Sequence, residues 1–163
     1  MGIEIIAKGL GQTGIILSDF VNSMPEEDLE RRRGDGFWTV ADHARHLADV
    51  QPMLFERLRL FSEEEKPVFK PYIPSGDEVR PAEPIQFDLD VILEKFDTWR
   101  EKQIELLKSL PDAVWERSAQ HPEYTRYTPY ILARHILMHD HWHMYRMEEL
   151  WLTRDDYLTA LPG

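Results

Sequence analysis

Four of the chain's seven histidines fall within the run Arg134-His135-Ile136-Leu137-Met138-His139-Asp140-His141-Trp142-His143. The segment from Thr128-Pro129 to about Trp151 reads as one helix, with a capping threonine, proline at the first helical position and no breaker after it. Residues four apart on a helix stand one above the other, so His135, His139 and His143 line one stripe while His141 points away. Two imidazoles at that spacing converge above their shared face, which lets one helix offer two ligands to a single metal ion. A third ligand has to come from another helix. The stretch after Thr39 supplies His43 and His46, and periodicity leaves the choice between them open, with His43 nearer the centre of the apolar stripe.

The chemistry such a set could do is specific. Three neutral imidazoles leave the ion's remaining positions to water or substrate, the pattern of catalytic rather than structural zinc. An ion so held lowers the pKa of bound water to about 7 or keeps a thiol as thiolate. The chain has no cysteine, so any thiol nucleophile has to come from another molecule.

Other side chains could take part. Arg146, about one turn beyond His143 on the same face, could meet an anionic substrate group or form a salt bridge at the end of the bundle. Gln103 could hydrogen-bond a metal-bound water or a ligand histidine, or be a buried amide that fixes helix register. His135 is a candidate extra ligand, acid/base or rim residue. Asp42 and Asp49 flank His46 either as supporting carboxylates or as solvated helix residues. His121 and His141 are expected to be exposed, and Trp142, Tyr145 and Trp151 to serve packing or a dimer contact.

These residues need elements to position them. Ile6, Leu10, Thr13, Leu17, Phe20 and Met24 alternate steps of four and three, which predicts a first helix from Ile3 to Met24. Gly9, Gly11 and Gly14 weaken it by about 1 kcal/mol each relative to alanine, so close approach of a neighbour is expected to hold it. Ser23-Met24-Pro25-Glu26 has the form of a capping box opening a short turn to about Arg32. A second helix runs from its cap at Thr39 to about Phe61, kinked at Pro52. Residues 62 to 86 carry five prolines and no period, which predicts a long crossover. A third helix spans about Asp88 to Ser109, with Leu89, Ile92, Phe96, Trp99, Gln103, Leu106 and Leu110 on its stripe. Pro111 to Ser118 reads as a short helix and His121 to Tyr124 as a loop. The predicted fold is all-α, a four-helix bundle with a long Pro-rich crossover between helices 2 and 3, as a single domain over residues 1–163.

Composition excludes other classes. A net charge of −11 argues against nucleic acid, since the only basic cluster is Arg31-Arg32-Arg33, which reads as a solvated turn end. No apolar run is long enough for a membrane span, and the first residues lack signal-peptide order, so a cytoplasmic protein is expected.

Trp38-Thr39 with His46-Leu47 eight residues on, the His121-Pro122-Glu123-Tyr124 loop, and His139-Asp140-His141-Trp142-His143 in a terminal helix together resemble the DinB superfamily of DinB/YfiT-like metalloenzymes. The order and spacing of these pieces extend over nearly the whole chain. The resemblance implies that one histidine of helix 2 and two of helix 4 bind a divalent metal, zinc or nickel. By position these are His46, His139 and His143. It further implies a metal-dependent transfer of a low-molecular-weight thiol to a small-molecule substrate, with metal-dependent hydrolysis or a non-catalytic metal- or ligand-binding bundle as alternatives, and a homodimer. Many members carry glutamine three residues after the last histidine, where this chain has Arg146.

Overall fold

A computed structural model of the chain describes residues 2–70 and 88–161. The elements are α1 (Ile3–Asn22), a 3-10 turn (Glu26–Glu30), α2 (Val40–Asp49), α3 (Gln51–Glu63), α4 (Leu89–Ser109), α5 (Asp112–Trp115), α6 (Pro129–Leu152) and α7 (Asp155–Leu158). Among the described residues no strand forms; Val68 and Gln120 make an isolated parallel bridge. Most of the expected crossover, including Pro71, Pro74, Pro81 and Pro84, lies outside the described residues.

The helix starts follow from local chemistry. Thr39 Oγ1 accepts the Asp42 N–H at 3.0 Å and the Asp42 carboxylate accepts the Thr39 N–H at 2.9 Å, closing a capping box on α2. Thr128 caps α6 from ahead of Pro129, and the Asp88 carboxylate caps α4. The box expected at Ser23 does not form. Ser23 Oγ instead donates to Phe20 O at 2.6 Å, finishing α1, and the next turn is 3-10.

The expected second helix divides into α2 and α3 at Val50. Pro52 has no N–H to give Ala48 O, so the ladder is interrupted there. Gln51 Nε2 donates to Leu47 O at 2.6 Å across the same break.

Contacts between side chains fix the direction of each helix. Gly9 faces Leu137 and Thr13 bonds Asp140, so α1 and α6 run parallel. Gly11 faces Ile104 and Gly14 faces Phe96 and Asp97, so α4 runs against α1. His43 meets His143 and His46 meets His139, so α2 and α3 also oppose α6. The four long elements are therefore arranged as α1, α4, α2–α3 and α6 around the bundle, each packed on the next. Neighbouring α3 and α4 point the same way, so the two ends to be joined lie about 35 Å apart along the bundle, over the length of α2 and α3. That requirement explains a long connection where a tight turn would fail.

The close approaches expected at the glycines are present. A Cβ at Gly9 would lie 3.2 Å from Leu137, and one at Gly14 would collide with the Asp97 carboxylate.

The core lies in two apolar blocks. One gathers Leu17, Val21, Leu47, Phe96 and Met147, the other Leu10, Leu58, Phe61, Leu107 and Ile136. Between them, at one level of the bundle, are the buried polar residues Thr13, Gln51, Arg100, Gln103 and Asp140. The buried line of α4 is Leu93, Phe96, Arg100, Gln103 and Leu107, one position round from the expected stripe, because Arg100 turns inward to the polar layer. Its guanidinium meets the Asp140 carboxylate at 2.7 Å and Gln51 Oε1 at 3.2 Å.

The basic cluster is not simply solvated. Arg31 donates to Leu150 O at 2.9 Å and Thr153 O at 2.6 Å, and Arg33 to Leu161 O at 2.6 Å. Arg31 thus satisfies carbonyls that the end of α6 leaves open.

Candidate metal centre

Thr39 starts α2 at a register that turns His43 and His46 toward α6, and the uninterrupted turns of α6 bring His139 and His143 to meet them. His46, His139 and His143 each present a nitrogen within 4.8 Å of the others. His46 Nε2 lies 3.3 Å from His139 Nε2, which lies 3.2 Å from His143 Nε2. Zinc–nitrogen bonds of about 2.0–2.1 Å in a tetrahedron separate ligand nitrogens by about 3.3 Å. The three side chains therefore fit a divalent ion, and the donor set is all imidazole.

His43 is absent from this group. Its Nδ1 lies 2.8 Å from His143 Nδ1, on the side of the ring away from the convergence point. Trp38 packs against the cluster, its ring centroid 4.8 Å from His46, 5.2 Å from His43 and 5.9 Å from His143, nearly parallel to the last.

Burial prepares the imidazoles as ligands, because a ligand histidine has to be neutral. It pushes His139 below the ordinary imidazole range, with Arg100 adding to the effect and Asp140 opposing it. His143 is lowered by burial and then by His139, His46 and His43. His43 falls to about 4, through burial first and then the neighbouring His46, with Asp42 opposing and Arg146 reinforcing.

The structure disperses the other candidates. His135 lies outside the converging group, its Nδ1 3.2 Å from the Tyr127 hydroxyl, in a cluster with Tyr124. Gln103 donates to Gln51 O at 3.2 Å and Gln51 Oε1 at 2.9 Å, so its amide ties α4 to α3 at the polar layer. Arg146 pairs with Glu149 at 2.6 Å and lies over the Trp142 ring at 5.4 Å. Asp42 belongs to the capping box and Asp49 pairs with Lys95 at 2.5 Å. His141 is exposed as expected, but His121 is half-buried, accepting the Glu123 N–H at 3.1 Å and packing its ring at a tilt against Tyr124 and Tyr127. Trp151 packs edge-on against Phe20, whereas Trp142 and Tyr145 are exposed.

Sequence reasoning missed Trp38 as a wall of the centre and Arg100 as the partner of Asp140. Trp38 entered only as part of the Trp38-Thr39 motif that carries the family resemblance. Arg100 sits one position from the stripe, and a charged residue there reads as solvated until its buried partner is known.

A family model described as the DinB superfamily matches residues 12–152. A protein of Oceanobacillus iheyensis named "putative metal-dependent hydrolase" is 33% identical over 110 residues, 66% of this chain and 62% of its own length. One of Bacillus mycoides with the same designation is 26% identical over 125 residues, 74% of this chain and 70% of its own. The chain thus spans less than two thirds of the length of the Oceanobacillus relative. The solved structure of YfiT from Bacillus subtilis, described as having an unusual four-helix bundle topology, superposes with a TM-score of 0.75 at 24% identity, covering 92% of this chain and 87% of that one. At that identity the likeness concerns the fold.

Proposed function

The chain belongs to the DinB superfamily, and on that premise we propose that it is a divalent-metal enzyme that activates an external low-molecular-weight thiol for transfer to a small electrophile. The observation that carries the reading is the convergence of His46, His139 and His143 on one point through nitrogens 3.2 and 3.3 Å apart. A divalent ion there supplies Lewis acidity, making a thiol or water nucleophilic near neutral pH. Imidazole ligands suit zinc or nickel. The protein's part is to hold three uncharged nitrogens in place and wall the centre with the Trp38 ring. It has no cysteine to supply the sulfur itself.

Hydrolysis is the second reading, favoured by the names of the relatives. The same centre serves it, with water in place of the thiol.

Elemental analysis of tag-free protein beside His46→Ala and His139→Ala tests the site. Stoichiometric metal in the parent and little in either variant is expected; equal content in all three would sink the assignment. A panel of thiols with a haloarene electrophile, run beside p-nitrophenyl esters, separates the two reactions. Metal-dependent thiol consumption supports transfer, and ester turnover without thiol supports hydrolysis.

A further inference from the structure

We infer that His43 is a positioning residue for the metal centre, whose Nδ1 accepts the Nδ1–H of His143 and holds that ring in the tautomer with Nε2 open to the ion. The inference rests on the three-histidine reading and goes beyond it, since His43 is not a ligand. The two Nδ1 atoms are 2.8 Å apart, a distance at which one nitrogen carries the hydrogen and the other accepts it.

Only one of the two arrangements is compatible with ligation. If His43 donates, the hydrogen of neutral His143 sits on Nε2, the atom that lies 3.2 Å from His139 Nε2. That atom could not then bind an ion. If His143 donates, its Nε2 is free and the hydrogen of His43 moves to its own Nε2. Binding at His143 therefore dictates the tautomers of both rings.

The surroundings keep His43 in this role. It is 9% exposed, with the Trp38 ring at 5.2 Å and the Trp142 ring at 6.3 Å, both near 67° to it. It stands three residues before His46 on α2, so one helix supplies both a ligand and the partner of a ligand on α6. His139 differs, its buried Nδ1 having no hydrogen-bond partner among the described residues. Outer partners of this kind typically change metal affinity by about tenfold to a hundredfold.

The test is zinc affinity, by competition with a chromophoric chelator, for the parent, His43→Phe and His43→Asn. Phenylalanine fills the ring space without an acceptor, whereas the asparagine Oδ1 stands near the place of Nδ1 and can accept. We expect His43→Phe to weaken zinc by about tenfold to a hundredfold and to change the visible spectrum of the cobalt-substituted protein, with His43→Asn restoring both in large part. Nitrogen-15 spectra of the zinc-loaded parent are expected to show hydrogen on His143 Nδ1 and on His43 Nε2.

Parent-like affinity and spectrum in His43→Phe would overturn the inference, as would hydrogen on His43 Nδ1 in the loaded parent. The tautomer measurement needs no variant, so it decides even if His43→Phe fails to fold. If His139→Ala binds zinc as the parent does, the three-histidine reading itself fails and takes this inference with it. If His139→Ala loses zinc and His43→Phe does not, the inference alone fails.

Discussion

Within the centre, the metal-free imidazoles carry a cost that depends on pH. His43, His139 and His143 all have their proton affinity lowered in the fold, chiefly by burial. In the unfolded chain the same groups take up protons near 6.5. Between that value and about 4 for His43, the unfolded state binds more protons than the folded one. Stability is then present above the unfolded value and lost as pH falls through the window. The thermal midpoint of the metal-free protein is expected to drop steadily on acidification below about 6.5; a flat midpoint across the window would contradict the burial argument. Protons also compete with the ion for the same nitrogens. Because burial holds His139 and His143 below the ordinary imidazole range, bound metal, followed by equilibrium dialysis, should persist as pH falls through about 6.5 and be lost only at lower pH; complete loss already at pH about 6 would contradict the burial argument.

At the scale of single elements, α2 is the short piece on which the centre depends. It runs only from Val40 to Asp49, yet it carries His43 and His46 between the Thr39 capping box and the interruption at Val50. Replacing Thr39 with alanine should lower stability by about 1 kcal/mol, read from denaturant midpoints, and weaken metal binding more than a cap substitution at Thr128. Equal metal affinity in the two variants would show that the register of α2 does not depend on its cap. The caps at Thr39 and Thr128 were legible in the sequence because capping is local chemistry. The Ser23 box was legible too and did not form, since its hydroxyl had a nearer acceptor in Phe20 O. The division at Val50 follows from Pro52, but the part played by Gln51 in that break depends on α4 arriving beside it.

Across the whole molecule, a polar layer runs through the bundle at the level of the histidines, dividing the apolar core into two blocks. Arg100 from α4, Asp140 from α6, Thr13 from α1 and Gln51 from α3 meet there, and Asp140 directly follows His139. Removing one partner of a buried ion pair leaves the other charge without compensation. Arg100→Met is expected to destabilise the protein by about 3–5 kcal/mol, with the double variant Arg100→Met, Asp140→Leu recovering much of the loss in urea titrations. Additive losses would mean that the two residues do not act as a pair. Metal should work in the opposite direction. Zinc at a hundredfold excess over its dissociation constant adds about 2.7 kcal/mol if it binds only the folded state, visible as a higher thermal midpoint that His139→Ala abolishes.

The sequence by itself determined most of the helices, the caps at Thr39 and Thr128, the bundle class and the stripe of His135, His139 and His143, because helical periodicity and capping act within a few residues of chain. The resemblance to a family, carried by spaced motifs, selected His139 and His143 from that stripe over His135, and His46 over His43. Tertiary structure alone decided what His43 touches, since its partner His143 is one hundred residues away. It likewise turned Arg100 inward to Asp140 and placed Trp38 over the imidazoles. Those outcomes depend on how far each helix slides and turns against its neighbours. That quantity is set by the packing of the whole core and leaves no local mark on the chain.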